Sequence, residues 1–225
     1  MWTRFDYVGQ QVRDFVFKIL SPPFCEYCRC FVTKRSLLCA DCLQKITPLV
    51  AHELLISATH KVPVYAVGAY QEPLKSLVLA KNRAYRLASV YLAEQIYTQT
   101  AFSTLPCDYL IPIPLHWSRA LRRGYNQSAV MAERLQQLQS TTTVANILKR
   151  VRATKYQSGL TKLERATNLT KAFVLKEIEP ELYRDKNLIL VDDVFTSGAT
   201  LAAAARELYK LQPKSLAIVV ACRAI

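Results

Sequence analysis

Two runs near the end of the chain, Leu188-Ile-Leu-Val191 and Leu216-Ala-Ile-Val-Val-Ala221, are apolar at every position. A strand that is apolar without alternation must be covered on both faces, which in soluble chains means a parallel sheet with helices on each side. Between the two runs, Leu201, Ala205, Leu208 and Leu211 recur at helical spacing over Ala199 to Leu211 and supply the crossover. Further upstream, Val62 to Tyr70, Tyr109 to Ile113, Asn146 to Lys149 and Ala172 to Leu175 read as strands. Glu72 to Thr98 and Gln127 to Leu138 read as helical. The fold class is therefore α/β. In such sheets ligands bind at the carboxyl ends of the strands, so the residues just after Val191 and Ile113 are expected to meet across one crevice.

The first quarter of the chain reads differently. Met1 to Leu20 has the apolar spacing of an amphipathic helix, ended by Ser21-Pro22-Pro23, and Ile46 to Lys61 reads as a linker helix. Between them lie five of the seven cysteines. Cys25-Glu-Tyr-Cys28 and Cys39-Ala-Asp-Cys42 are two CxxC pairs ten residues apart. Each pair can turn two thiolates toward one point, and two such turns complete a tetrahedral zinc site. Four thiolates leave no open coordination position, so the metal is expected to be structural. Cys30 is a spare thiol beside the first pair. This gives two expected units: residues 1–50 as N-terminal helix and zinc module, and residues 51–225 as the main domain.

Charge narrows the ligand class. Thirty Lys and Arg against 17 Asp and Glu leave +13. Between His116 and Arg165 stand Arg119, Arg122, Arg123, Arg134, Lys149, Arg150, Arg152, Lys155, Lys162 and Arg165 against Glu133 and Glu164. A field of that strength attracts phosphate, on a small molecule or along a nucleic-acid backbone, unless it is a solvated face kept for solubility. Trp117, Tyr125 and Tyr156 are interleaved with these cations, a pattern that suits single strands, although core packing accounts for any one ring equally well. No uncharged apolar run approaches the roughly 18 residues of a spanning helix. Arg4, Asp6, Arg13, Asp14 and Lys18 interrupt any signal-peptide core, so the expectation is a chain that neither spans a membrane nor is secreted.

The segment after Val191 carries the most specific chemistry: Asp192-Asp193-Val-Phe-Thr196-Ser197-Gly198-Ala199-Thr200. Two carboxylates at a strand end can accept hydrogen bonds from the adjacent hydroxyls of a ribose. The turn that follows offers the Thr196, Ser197 and Thr200 hydroxyls, and Gly198 lets the backbone amides that open the next helix, at Ala199, approach a phosphate closely. A diol held by acids and a phosphate held by a hydroxyl-rich helix start describe a 5-phosphoribosyl group. The string resembles the signature of the type I phosphoribosyltransferases, which bind 5-phosphoribosyl 1-pyrophosphate (PRPP) with Mg²⁺. Pro112-Ile-Pro-Leu115, followed by Arg122-Arg123-Gly124-Tyr125-Asn126-Gln127, has the chain position of that fold's pyrophosphate loop. The stretch from Arg152 through Gln157 and Arg165 to Asn168 resembles its closing loop, with Arg152 and Arg165 placed to screen the leaving pyrophosphate.

Taken in order, the two CxxC pairs, Arg-Arg-Gly-Tyr-Asn-Gln, the Gln157/Arg165/Asn168 loop and Asp-Asp-x-x-Thr-Ser-Gly-Ala-Thr resemble the ComF/GntX family. The resemblance implies a type I phosphoribosyltransferase-like parallel sheet flanked by helices, with a small N-terminal zinc ribbon built on four cysteines. It further implies a cytoplasmic competence protein that handles single-stranded DNA during uptake, beside the uptake machinery on the inner membrane's cytoplasmic side. Two other readings compete with it: an active phosphoribosyltransferase on an unidentified acceptor, and a regulator that senses PRPP without turnover. The expected zinc ligands are Cys25, Cys28, Cys39 and Cys42. Arg122, Arg123, Gly124, Arg152 and Arg165 are candidates for pyrophosphate or DNA backbone.

Overall fold

The computed structural model of the chain describes residues 24–32, 36–49, 51–79, 85–115, 125–151 and 172–225. The N-terminal helix and the Arg122, Arg123, Gly124, Arg152 and Arg165 candidates, with Trp117 and Tyr156, lie outside the described residues.

Among the described residues the strands are β1 (His52–Leu55), β2 (Lys61–Ala69), β3 (Tyr109–Pro112), β4 (Thr143–Val144), β5 (Leu148–Arg150), β6 (Phe173–Leu175), β7 (Asn187–Phe195) and β8 (Ser215–Arg223). The helices are α1 (Ala40–Gln44), α2 (Leu74–Leu79), α3 (Tyr85–Gln99), α4 (Gln127–Leu138) and α5 (Ala199–Tyr209). Six strands form one sheet in the order β1-β2-β8-β7-β3-β4, parallel throughout except for β1, which pairs antiparallel with β2 at the edge.

Alternate residues of each central strand feed separate cores. Leu188, Leu190, Ile218 and Val220 pack with α5 through Leu201, Ala205 and Leu208. Ile189, Val191, Val219 and Ala221 pack with α3 and α4 through Leu92, Ile96, Met131 and Leu135. All of these are nearly or fully buried, and each side chain so removed from water stabilises the fold by about 1.5–3 kcal/mol, Ala by less. Because α4 and α5 lie on opposite faces, the chain winds in opposite senses from β3 and from β7. The carboxyl ends of these two neighbouring strands are therefore the topological switch point, where doubly wound sheets leave a crevice.

Three expectations are corrected. Ile46 to Lys61 is not a helix: 46–49 is irregular, β1 follows with Leu54 buried, and the hydroxyl of Ser57 accepts from the His60 amide to turn the chain into β2. Pro48 disfavours helix in the residue before it, which the apolar spacing does not reveal. The strand expected over Asn146 to Lys149 is displaced: 145–147 is irregular, β5 begins only at Leu148, and the sheet-edge strand β4 lies before the expected range. β5 pairs antiparallel with β6 as a separate two-stranded sheet packed over α5, so β5 and β6 are not members of the main sheet. Finally, β7 does not stop at Val191, because β8 continues beside it to Arg223 and offers partners as far as Phe195.

The cysteine segment is docked on the sheet. Cys25, Val32, Leu38 and Cys42 are buried in the same cluster as Val67, Tyr91 and Leu92. The chain leaving α1 crosses β2 at Gly68, where an added Cβ would lie 2.8 Å from Ile46 Cγ2 and 3.0 Å from the Thr47 carbonyl. Only glycine admits that approach.

Candidate functional site

The switch point is closed by side chains from the start of α4. Asn126 caps that helix, its Oδ1 accepting from the Ser128 amide at 3.2 Å, while its Nδ2 donates to the Ile113 carbonyl at 3.0 Å. The Ile113 amide donates in turn to the Val191 carbonyl, extending the β3–β7 ladder one step past Pro112. Ser128 Oγ donates to Asp192 Oδ1 at 2.8 Å, and the Asp193 amide donates to the same oxygen at 3.0 Å. Asp192, the residue after Val191, is thus met by Ser128 from the start of α4, which Asn126 ties to Ile113. Asp192 and Asp193 belong to β7 itself, not to the loop beyond it.

Burial drives Asp192 up to about 8, with the neighbouring Asp193 charge adding to the effect. The bonds from Ser128 and the Asp193 amide, and the Arg150 charge, pull it back only in part. Arg150 ends β5 with its guanidinium 5.4 Å from the centre of the Phe173 ring. Behind the acids Cys222 is buried on β8, its Sγ donating to the Asp193 carbonyl at 3.8 Å, and burial holds this thiol well above its ordinary range.

Past Phe195 the chain turns through exposed Thr196 and Ser197 to buried Gly198, which caps α5 at φ 72°. A Cβ on Gly198 would lie 2.8 Å from Leu54 Cδ1 and 2.9 Å from Phe195 Cζ, so the left-handed torsion and the close approach both require glycine. Ala199 and Thr200 begin α5, whose first amides face the turn. Asp192, Asp193 and the Thr196–Thr200 turn thus form one stretch along the carboxyl end of β7. The sequence singled out this stretch and counted Arg150 only among the clustered cations, without tying its charge to Asp192; it missed Ser128. The small polar residue two past the Asn126 cap was the available signal for Ser128.

The second candidate site lies in the cysteine segment, on the face of the sheet that α3 and α4 also cover. The Sγ atoms of Cys25, Cys28, Cys39 and Cys42 all lie within 4.8 Å of one another, with Cys28 and Cys39 3.7 Å apart. A tetrahedral metal with bonds of ~2.3 Å to sulfur needs edges of about 3.8 Å, so the four thiols could bind a metal such as zinc. The first pair is set by a tight knuckle: the Cys25 amide donates to the Cys30 carbonyl and the Arg29 amide to the Cys25 carbonyl, with Arg29 at φ 63°. The second pair straddles the start of α1. The Cys30 amide leads the interactions that lower the Cys28 thiol to about 6, which favours the thiolate. Cys30 Sγ sits 3.3 Å from Cys28 Sγ.

Comparison with known proteins places the chain in a family. Residues 121–225 match the phosphoribosyl transferase domain. Competence protein F of Haemophilus influenzae is 32% identical over 201 residues, 86% of this chain and 82% of that one. The chain belongs to the ComF family. A further relative of this ComF chain, the DNA utilization protein YhgH of Salmonella typhimurium, is 29% identical over 201 residues, covering 89% of this chain and 84% of its own. Adenine phosphoribosyltransferase from Saccharomyces cerevisiae overlaps 79% of the ComF chain and 85% of its own at 16% identity, with a TM-score of 0.35. No helix among the described residues of this ComF chain is long and apolar enough to cross a membrane.

Proposed function

We propose that this ComF-family chain binds PRPP along the carboxyl end of β7 and acts on single-stranded DNA in a competence-related role. The reading is carried by one observation: two adjacent acids, Asp192 and Asp193, run directly into a turn whose buried Gly198 opens α5, beside a helix cap that closes the crevice. Asp192 and Asp193 would accept the ribose hydroxyls, and Thr196, Ser197, Thr200 and the amides from Gly198 onward would hold the 5-phosphate. Arg150, with Arg122, Arg123, Arg152 and Arg165 of the segments outside the described residues, would neutralise the diphosphate, and Mg²⁺ would supply further charge neutralisation. Zinc would be held by the four cysteines as a structural ion in residues 1–50, docked on the domain of residues 51–225. The names of the relatives support the DNA-related role, which would place the chain at the cytoplasmic side of the inner membrane, next to the machinery that brings DNA in.

The test is calorimetric titration of PRPP with and without Mg²⁺ into the wild type and the Asp192→Asn, Asp193→Asn double variant. Mg²⁺-dependent binding that the double variant loses, with its thermal transition retained, supports the site. Equal affinity in both proteins would exclude it. Release of pyrophosphate across a panel of nucleobases would convert the reading into an active transferase.

A further inference from the structure

Every Phe or Tyr that is exposed among the described residues lies in one stretch of eight, the first knuckle of the cysteine module: Phe24 at 47%, Tyr27 at 39% and Phe31 at 60%. The other described Phe and Tyr side chains are buried or half-buried in the sheet and helix layers. Phe24 and Phe31 face each other across an antiparallel bridge as an edge-to-face pair, with centroids 6.4 Å apart and planes at 83°. That geometry fixes both rings while leaving much of their surface in water. The Lys45 ammonium lies 5.9 Å from the centre of the Tyr27 ring, and the Arg29 side chain, 72% exposed, reaches Glu26 at 3.6 Å. Beyond the knuckle the sequence continues with Lys34 and Arg35, outside the described residues.

Solvent-facing phenyl rings are costly unless something covers them, and a cluster of them marks an interaction surface. The occupant is identified by what surrounds the rings. Rigid rings with Arg and Lys set among them are the arrangement that holds unpaired bases: ring faces take the bases in turn, and cations take the backbone. From this we infer that the knuckle formed by Phe24, Tyr27, Arg29 and Phe31 is a stacking platform for single-stranded nucleic acid, distinct from the arginines proposed for the diphosphate. The inference rests on the proposed DNA role and locates it. The Phe24–Phe31 bridge and the turn between Cys25 and Cys28 keep the rings in place, so a metal bound by the four cysteines would support binding indirectly.

Stacking is nearly indifferent to salt, whereas backbone contacts are not, and this separates the platform from those arginines. The zinc-loaded full chain is titrated with fluorescein-labelled oligothymidylate at two salt concentrations. The Phe24→Leu, Phe31→Leu double variant keeps the apolar volume but removes the ring faces. It is expected to bind roughly tenfold more weakly at both salts, with unchanged salt slope, zinc content and PRPP affinity. Wild-type binding that the double variant matches overturns the platform and leaves the DNA role standing. A wild type that does not bind the oligonucleotide overturns both. If sedimentation shows the wild type self-associated and the variant monomeric while DNA affinity is equal, the patch is a protein interface and the inference fails. Should the Leu variant lose zinc, Phe31→Tyr, which keeps a ring, must retain wild-type affinity or the platform is rejected.

Discussion

The hydroxyl of Ser128 donates to Asp192 Oδ1 at 2.8 Å across 64 residues of chain, joining the first turn of α4 to the carboxyl end of β7. It converges with the Asp193 amide on one oxygen, so the carboxyl is aimed before any ligand arrives. Removing it in Ser128→Ala leaves the carboxylate one donor short and free to rotate. A hydrogen bond to a charged group is worth about 1.5–3 kcal/mol. PRPP affinity is therefore expected to fall about tenfold or more while the fold survives, and calorimetry beside a melting curve separates the two effects.

The raised Asp192 value gives a signed pH dependence. Between its unfolded value of about 4 and about 8 in the fold, the native chain holds a proton that the unfolded chain has released. Stability from this group is thus present at low pH and declines as pH rises through that window. Asp192→Asn should melt higher than wild type, by a margin that grows from about pH 5 to about pH 8.5. If the ribose hydroxyls bind the ionised form, wild-type PRPP binding at neutral pH releases a proton, visible as a heat that changes with the buffer's ionisation enthalpy. A pH-independent margin would refute the assignment.

Gly198 makes the turn possible, and its replacement tests how tightly the turn is built. In Gly198→Ala the new Cβ meets the Phe195 ring at 2.9 Å and must also hold φ at 72°. The torsion alone costs about 1–2 kcal/mol. The expected result is a melting point several degrees lower and loss of measurable PRPP binding. A variant with wild-type affinity would show that the amides at the start of α5 do not hold the ligand.

How much of this was legible in the sequence depends on which physical term decided each element. The continuous apolar runs around Leu188 and Leu216 specified a two-sided sheet because nothing else can bury every residue of a strand. Gln127 to Leu138 was readable to the residue, its cap Asn126 standing just ahead of an apolar stripe. What was not legible was decided by partners distant in sequence. β7 runs on through two acids because β8 offers it hydrogen bonds, and β5 leaves the main sheet because Leu148 and Phe173 find cover over α5. Ser128 is marked only by its place two past the Asn126 cap, which does not name Asp192 as its partner. The cysteine spacing was legible because ligand chemistry is local, whereas the exposure of Phe24 and Phe31 could be known only after the module was docked.

Thiol replacement separates ligand from neighbour. Cys39→Ser should lose the bound metal, and because Cys25 and Cys42 are buried against Tyr91 and Leu92, the loss should also lower the melting point of the main domain. Cys30→Ser, 3.3 Å from Cys28 but outside the four-thiol cluster, should keep one metal per chain, as should Cys107→Ser and Cys222→Ser. Elemental analysis of the four variants decides it; full zinc in Cys39→Ser would remove the site.

Arg122 and Arg123 remain to be weighed against the aromatic knuckle. If Arg122 and Arg123 contact a strand backbone, each contact contributes roughly −0.7 to the slope of log affinity against log salt. Replacing both by Ala should flatten that slope by about one and a half units, with little dependence on base sequence. If the same pair also neutralises a diphosphate, PRPP with Mg²⁺ should compete with DNA for it, and the competition should vanish in the double variant. An unaltered slope would assign the strand to the knuckle rings alone and leave Arg122 and Arg123 to PRPP. A flattened slope together with weaker binding in the Phe24→Leu, Phe31→Leu variant would mean that one strand spans both surfaces.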